Sequence, residues 1–124
     1  MIVYLAGPIT GNERYKEQFA SAQRQLEMKG YKVLNPAMLP SGLGDCNKYM
    51  IICLSMIDVS EVVVMLPGWE NSFGACREWG YANGKDKLVL DLKTMLEEKA
   101  NEQCTYDNNI RSRMRSFNSS KGVR

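Results

Sequence analysis

The sequence predicts a small three-layer α/β domain built on a parallel sheet, and three observations carry that expectation. Apolar runs rich in β-formers, at Ile2 to Ala6, Tyr31 to Leu34, Glu61 to Leu66 and Leu88 to Asp91, alternate with segments of helical periodicity. The connections are short, which requires parallel strands joined by right-handed crossovers. A chain of 124 residues supplies one hydrophobic core and excludes a two-domain enzyme. Together these give a flavodoxin-like or Rossmann-like α/β sheet of four or five strands in the expected order 2-1-3-4, occupying residues 1–100, with a polar, basic C-terminal tail over 101–124.

The first strand, Ile2-Val-Tyr-Leu-Ala6, is closed by the turn residues Gly7-Pro8. Asn12 then offers a cap for a helix whose apolar positions Tyr15, Phe19, Ala22 and Leu26 form one stripe, ended by Gly30. The second strand stops at Asn35-Pro36, and Pro36, Pro40, Gly42 and Gly44 mark a loop. Asp45 caps a second helix to about Ile57, with Tyr49, Ile52, Cys53, Met56 and Ile57 on one side. The segment Glu-Val-Val-Val-Met-Leu66 is the most strand-like in the chain and ends at Pro67-Gly68-Trp69. Ser72 caps a third helix to about Asn83, stopped by Gly84, and a further helix over 92–100 follows the fourth strand.

Composition narrows the function classes. Hydrophobic residues at 44% and charged residues at 24% describe a globular protein, and the longest apolar run, Val62 to Pro67, is too short to span a bilayer. No secretory signal opens the chain, so a cytoplasmic location is expected. Cysteines at 46, 53, 76 and 104 fit neither a zinc knuckle nor a redox pair and read as reduced thiols. The chain has no histidine, which removes His-activated nucleophiles and His-ligated zinc and leaves acid–base or nucleophilic work to carboxylates, Tyr, Lys or Cys. No metal or organic cofactor is expected. The net charge of +2 conceals an asymmetry, with nine basic and ten acidic side chains over 1–91 against seven and four over 92–124. The tail's short basic run carries no recognisable binding module, so nucleic acid is not the expected partner.

In an open parallel sheet ligands bind beyond the carboxyl ends of the strands where the strand order reverses, here between the first and third strands. The loops meeting there are Gly7-Pro8-Ile9-Thr10 and Pro67-Gly-Trp-Glu-Asn-Ser72, neither of them a Walker loop or a dinucleotide fingerprint. The third helix begins at Ser72, where free N–H groups and the helix dipole suit a phosphate or carboxylate. Helical spacing puts Gly74, Ala75, Glu78, Tyr81 and Ala82 on one face. Glu78 is then either a functional carboxylate among small residues or a surface group paired with Arg77 or Lys85.

The strings IVYLAGPI, LNPA, YM and LPGWENSFGACREWGYA resemble the nucleoside 2-deoxyribosyltransferase-like superfamily, and within it a small subfamily, often encoded by phages and their hosts, close to nucleoside 5′-monophosphate N-glycosidases. The resemblance covers residues 1–92, and its strongest piece is S-x-G-x-x-x-E followed by G-x-A, present as Ser72, Gly74, Glu78, Gly80 and Ala82. It implies that Glu78 is the nucleophile that displaces a base from the anomeric carbon through a covalent glycosyl-enzyme, and that Tyr4 hydrogen-bonds it. It further implies that Ser72, where transferases acting on free nucleosides carry Asp, selects a nucleoside 5′-monophosphate.

Gly7, Pro8, Trp69, Asn71, Ser72 and Gly74 are the expected substrate-binding positions, with Trp69 either stacking on a base or covering the sheet. The resemblance also implies homo-oligomers and a small-molecule nucleotide or nucleoside as partner. One position departs from it: Cys53 stands where the superfamily usually has an Asp that assists the leaving base, with Asp58 and Glu61 as nearby substitutes. Asn108 and Asn109 are available for the Asn that a neighbouring subunit contributes in some transferases. A protein that holds a nucleotide in the same cleft without turning it over is the alternative.

Overall fold

The computed structural model describes residues 1–97. Its four strands, β1 (Ile2–Ala6), β2 (Lys32–Leu34), β3 (Val62–Met65) and β4 (Leu88–Asp91), form one parallel sheet in the order β2-β1-β3-β4, the order expected from the sequence. The register sets Tyr4 of β1 between Leu34 and Val63. Helices α1 (Tyr15–Met28), α2 (Cys46–Val59), α3 (Phe73–Gly84) and α4 (Leu92–Glu97) cover the two faces.

The alternation of side chains along each strand divides the core in two. Val3, Leu5, Val62, Val64 and Leu66 point to the face covered by α1 and α4, where they pack with Phe19, Leu26 and Met95. Tyr4, Ala6, Val63 and Met65 point to the opposite face, where they meet Cys53 and Ile57 of α2 and Ala75 and Ala82 of α3. All four residues of β3 are buried, as a central parallel strand covered on both sides requires. The run of Val and Met that marks β3 in the sequence is therefore a consequence of its place in the sheet.

Helix ends follow local chemistry. Asp45 accepts from the Lys48 N–H and Ser72 from the Ala75 N–H, so both expected caps form. Asn12 does not cap α1, whose first residue follows Arg14. Its amide oxygen accepts from the Arg14 N–H in an Asx turn, and its amide nitrogen donates to the Pro8 carbonyl and to Gln18, so it braces the loop ahead of the helix. Gly84 is likewise not the stop of α3 but its last residue, and the left-handed position is taken by Asp86 at φ +59°. Two short 3-10 turns, Pro36–Met38 and Trp69–Asn71, interrupt segments that read as loops. The boundary near residue 100, the tail, Cys104, Asn108 and Asn109 lie outside the described residues.

The loops after β1 and β3 are locked together. The Leu66 N–H donates to the Ala6 carbonyl at 2.7 Å, Gln18 donates to the Pro67 carbonyl at 3.1 Å, and Gly68 turns through φ +89°, where an added β-carbon would meet the Pro8 ring at 3.4 Å. A β-carbon at Gly7 would lie 2.9 Å from Leu66 Cβ and 3.3 Å from Phe19 Cζ. The atom in the way is rooted in the backbone of Leu66, one residue past β3, so relief requires the two strand ends to separate. Gly7→Ala is therefore expected to lower the unfolding free energy by about 1–3 kcal/mol, the usual range for overpacking, as measured by urea denaturation.

Candidate functional site

Tyr4 lies two residues before the end of β1, about 7 Å below the carboxyl edge of the sheet at 3.3 Å per residue. Glu78 lies five residues into α3, about 7–8 Å from the helix start at 1.5 Å per residue. Since α3 returns antiparallel to the strands, the two side chains reach the same depth. The Tyr4 hydroxyl donates to Glu78 Oε2 at 2.5 Å, with Tyr4 fully buried and Glu78 6% exposed. Ala75 and Ala82 flank Glu78 on the buried stripe of α3, and their small side chains let the helix approach the sheet closely enough for that bond.

The surface reading of Glu78 is thereby overturned. Arg77 is exposed, and Lys85 sits over the Tyr81 ring at 5.5 Å from its centroid. Burial pushes the Glu78 carboxyl up from the ordinary 4.5 to about 7, against the opposing pull of the Tyr4 and Cys53 hydrogen bonds. Burial and the adjacent Glu78 also drive Tyr4 well above the usual phenol range. Cys53, 7% exposed on α2, completes the group, and desolvation raises its thiol to about 11. The position at which the sequence departs from the resemblance lies in the same buried layer as Tyr4, Ala75 and Ala82.

Neither proposed substitute for the missing Asp reaches this point. Asp58 accepts from the Tyr81 hydroxyl at 2.8 Å, and Glu61 accepts from the Ile2 N–H at the amino-terminal edge of the sheet. Both belong to the end of the domain opposite the loops that meet above Tyr4.

The remaining candidates surround the upper end of α3. Ser72 is the cap of that helix, its Oγ occupied as acceptor from Ala75 N–H, which leaves the hydroxyl proton to donate. Gly74 faces Met50 of α2, whose terminal methyl would meet a β-carbon there at 3.8 Å. Pro8 is the group that a β-carbon at Gly68 would meet, Gly7 is buried just past the end of β1, and Asn71 is exposed in the 3-10 turn. The Trp69 indole is stacked on Trp79 of α3, with centroids 6.0 Å apart and planes at 18°. A base stacking on Trp69 would have to use its other face. Trp79 escaped the sequence reading because its value lies in that pairing, which helical spacing alone does not show.

Tyr49, part of the Tyr-Met string, donates to the Pro40 carbonyl at 2.7 Å and accepts from the Leu43 N–H, pinning the 36–44 segment onto α2. Asn35 of the LNPA string accepts from the Ala37 N–H and donates to Gln23. Cys46, Cys53 and Cys76 are free thiols. Among the described residues no group of three or more His, Cys, Asp or Glu side chains could hold a metal ion, and no helix is long and apolar enough to cross a membrane.

A buried carboxyl with a raised ionisation midpoint links stability to pH. The folded form keeps the Glu78 proton up to about pH 7 while the unfolded chain releases it near 4.5, so this contribution is complete below pH 4.5 and is lost as the pH rises through 7. The loss is on the order of 3 kcal/mol, the equivalent of that change in midpoint. Glu78→Gln, which keeps an acceptor for Tyr4, is expected to be more stable than the wild type at pH 8 by a large part of this amount and to match it near pH 4. Urea denaturation at the two pH values checks both.

No curated protein matches the chain. Among solved structures, a CMP N-glycosidase from Clostridium botulinum, BcmB, is similar in fold, with a TM-score of 0.51 and 26% identity over 73% of this chain and 67% of that one. Residues 1–91, which contain Tyr4, Cys53 and Glu78, match the family described as a domain of unknown function, DUF4406, and the chain belongs to that family.

Proposed function

We propose that the protein is an N-glycosidase, or a deoxyribosyltransferase of the same chemistry, acting on a nucleoside or deoxynucleoside 5′-monophosphate with Glu78 as nucleophile. The observation that carries the proposal is the buried Glu78 carboxylate held by the Tyr4 hydroxyl beneath the loops after β1 and β3. Similarity to a CMP N-glycosidase supports the reaction class and a small-molecule nucleotide as substrate.

In this reading each group has a step. Tyr4 engages Oε2, so Oε1 is the oxygen that attacks the anomeric carbon. As the new C–O bond forms, the C–N bond breaks, and its electron pair leaves with the base, which takes its proton from solvent. Water, or a second base in a transferase, then attacks the same carbon and returns the carboxylate. The Ser72 hydroxyl and the first N–H groups of α3 form the 5′-phosphate site, one helical turn and a half above the nucleophile. Pro8 and Gly7 wall the sugar, and Asn71, Gly74 and Trp69 border the opening. Self-association accompanies this reading, with exposed Ile51 and Val59 on α2 as the surface for it. The rival reading, nucleotide binding without turnover, draws on the thiol of Cys53 where a carboxylic acid would assist the leaving base.

Chromatography of free base from a panel of nucleosides, deoxynucleosides and their 5′-monophosphates tests the proposal. Release is expected only from monophosphates and is abolished by Glu78→Gln. Silence across the panel with a nucleotide still binding in calorimetry would establish the rival reading. Because attack requires ionised Glu78, activity is expected to rise as the pH climbs through about 7. Tyr4→Phe removes a donor to the carboxylate, which moves that rise to higher pH and lowers kcat by about 10–100-fold.

A further inference from the structure

We infer that Asn12 and Gln18 are positioning residues: their side-chain amides form a one-way bridge between the loops after β1 and β3, and the bridge sets the distance from the sugar wall at Pro8 to the phosphate position at Ser72. The consequence for catalysis rests on the glycosidase reading, but the bridge itself is a property of the folded chain.

Two prolines create the need for it. The bond from the Leu66 N–H to the Ala6 carbonyl carries the β1–β3 pairing one residue past β3, and beyond it Pro8 and Pro67 have no N–H to offer. Their carbonyls are taken by side chains instead. Asn12 Nδ2 donates to the Pro8 carbonyl and to Gln18 Oε1, each at 3.0 Å, and Gln18 Nε2 donates to the Pro67 carbonyl at 3.1 Å. The direction of this chain is fixed at both ends. The two proline carbonyls only accept, and the Arg14 N–H, which meets Asn12 Oδ1, only donates. Turning either amide around would set like against like at two contacts or more.

The held point is connected to the site. From Pro67 the loop continues through backbone bonds from Trp69 N–H to Leu66, from Asn71 N–H to Gly68 and from Ser72 N–H to Trp69, so a displacement of Pro67 passes along the 3-10 turn to Ser72. The other end of the bridge is anchored independently of both loops. Phe19, next to Gln18 on α1, is fully buried in the core, so the amide stands on a fixed helix rather than following the loops it joins. Arg14, four residues before Gln18, is paired with Glu17.

The test is Gln18→Glu, which keeps size and helix preference but has no donor while ionised. Hydrogen exchange at the Trp69, Asn71 and Ser72 amides reports on the loop. Their protection factors are expected to fall about three- to tenfold below wild type at pH 7 and to return to wild type near pH 4, where the protonated carboxyl again donates to the Pro67 carbonyl. Gln18→Met, which has no donor at any pH, is expected to lose the protection at both. In base release at pH 7, Gln18→Glu raises KM by about three- to tenfold for the monophosphate that the panel selects, with kcat nearly unchanged.

Equal protection in wild type and Gln18→Glu at pH 7 overturns the inference. So does protection that falls without recovering in acid, the mark of a general loosening of α1, and so does an unchanged KM beside weakened protection. Protection that falls at pH 7 and recovers in acid, in a protein that releases no base, would sink the glycosidase reading while leaving the bridge standing.

Discussion

An ionisable carboxyl inside a protein costs several kcal/mol unless it is hydrogen-bonded or kept neutral, and the arrangement around Glu78 answers that constraint. The Tyr4 hydroxyl is the direct answer, a donor that is itself fully buried and so has no competing water. The pair works because β1 and α3 deliver two side chains to the same depth from opposite directions. A shift of either element by one residue along its axis would separate them. Everything else in the domain that bears on function amounts to holding that depth constant.

Two kinds of small residue do the holding. Ala75 and Ala82 bring α3 down onto the sheet, and Ala6 keeps the end of β1 low on the same face. On the other face Gly7 allows Leu66 and Phe19 to close beneath the loop, while Gly68 brings the second loop against Pro8. The region that would receive a ligand is therefore built from close backbone approaches, and its shape is set by which side chains are missing. Those residues are as much part of the site as the groups that would carry charge.

The sheet order and most element boundaries were legible because they follow from patterns confined to short stretches: the apolar run of β3, the caps Asp45 and Ser72, the stripe Phe19, Ala22 and Leu26. The misreadings came from residues with two local uses. Asn12 has the chemistry of a helix cap, but its carbonyl and amide serve the turn ahead of α1, the amide nitrogen donating to both Pro8 and Gln18 and the oxygen accepting from Arg14. Gly84 has the identity of a helix stop, but Asp86 supplied the left-handed turn and let the helix run on. Glu78 was ambiguous from spacing alone, because burial depends on how closely α3 approaches the sheet. Trp79 was missed because its partner is ten residues away, and helical spacing does not show which ring the loop lays against it.

The stack of Trp69 on Trp79 joins a loop that borders the opening to the helix that carries Glu78, and these are the only two tryptophans in the chain. Two indoles at that separation are close enough to couple their electronic transitions, so an exciton couplet in the far-ultraviolet circular dichroism is the expected signature of this contact. The molecule thereby contains its own optical gauge of the loop. Any ligand that draws Trp69 off its partner erases the couplet, and one that enters beside it leaves the couplet in place, which separates the two modes of entry without a label.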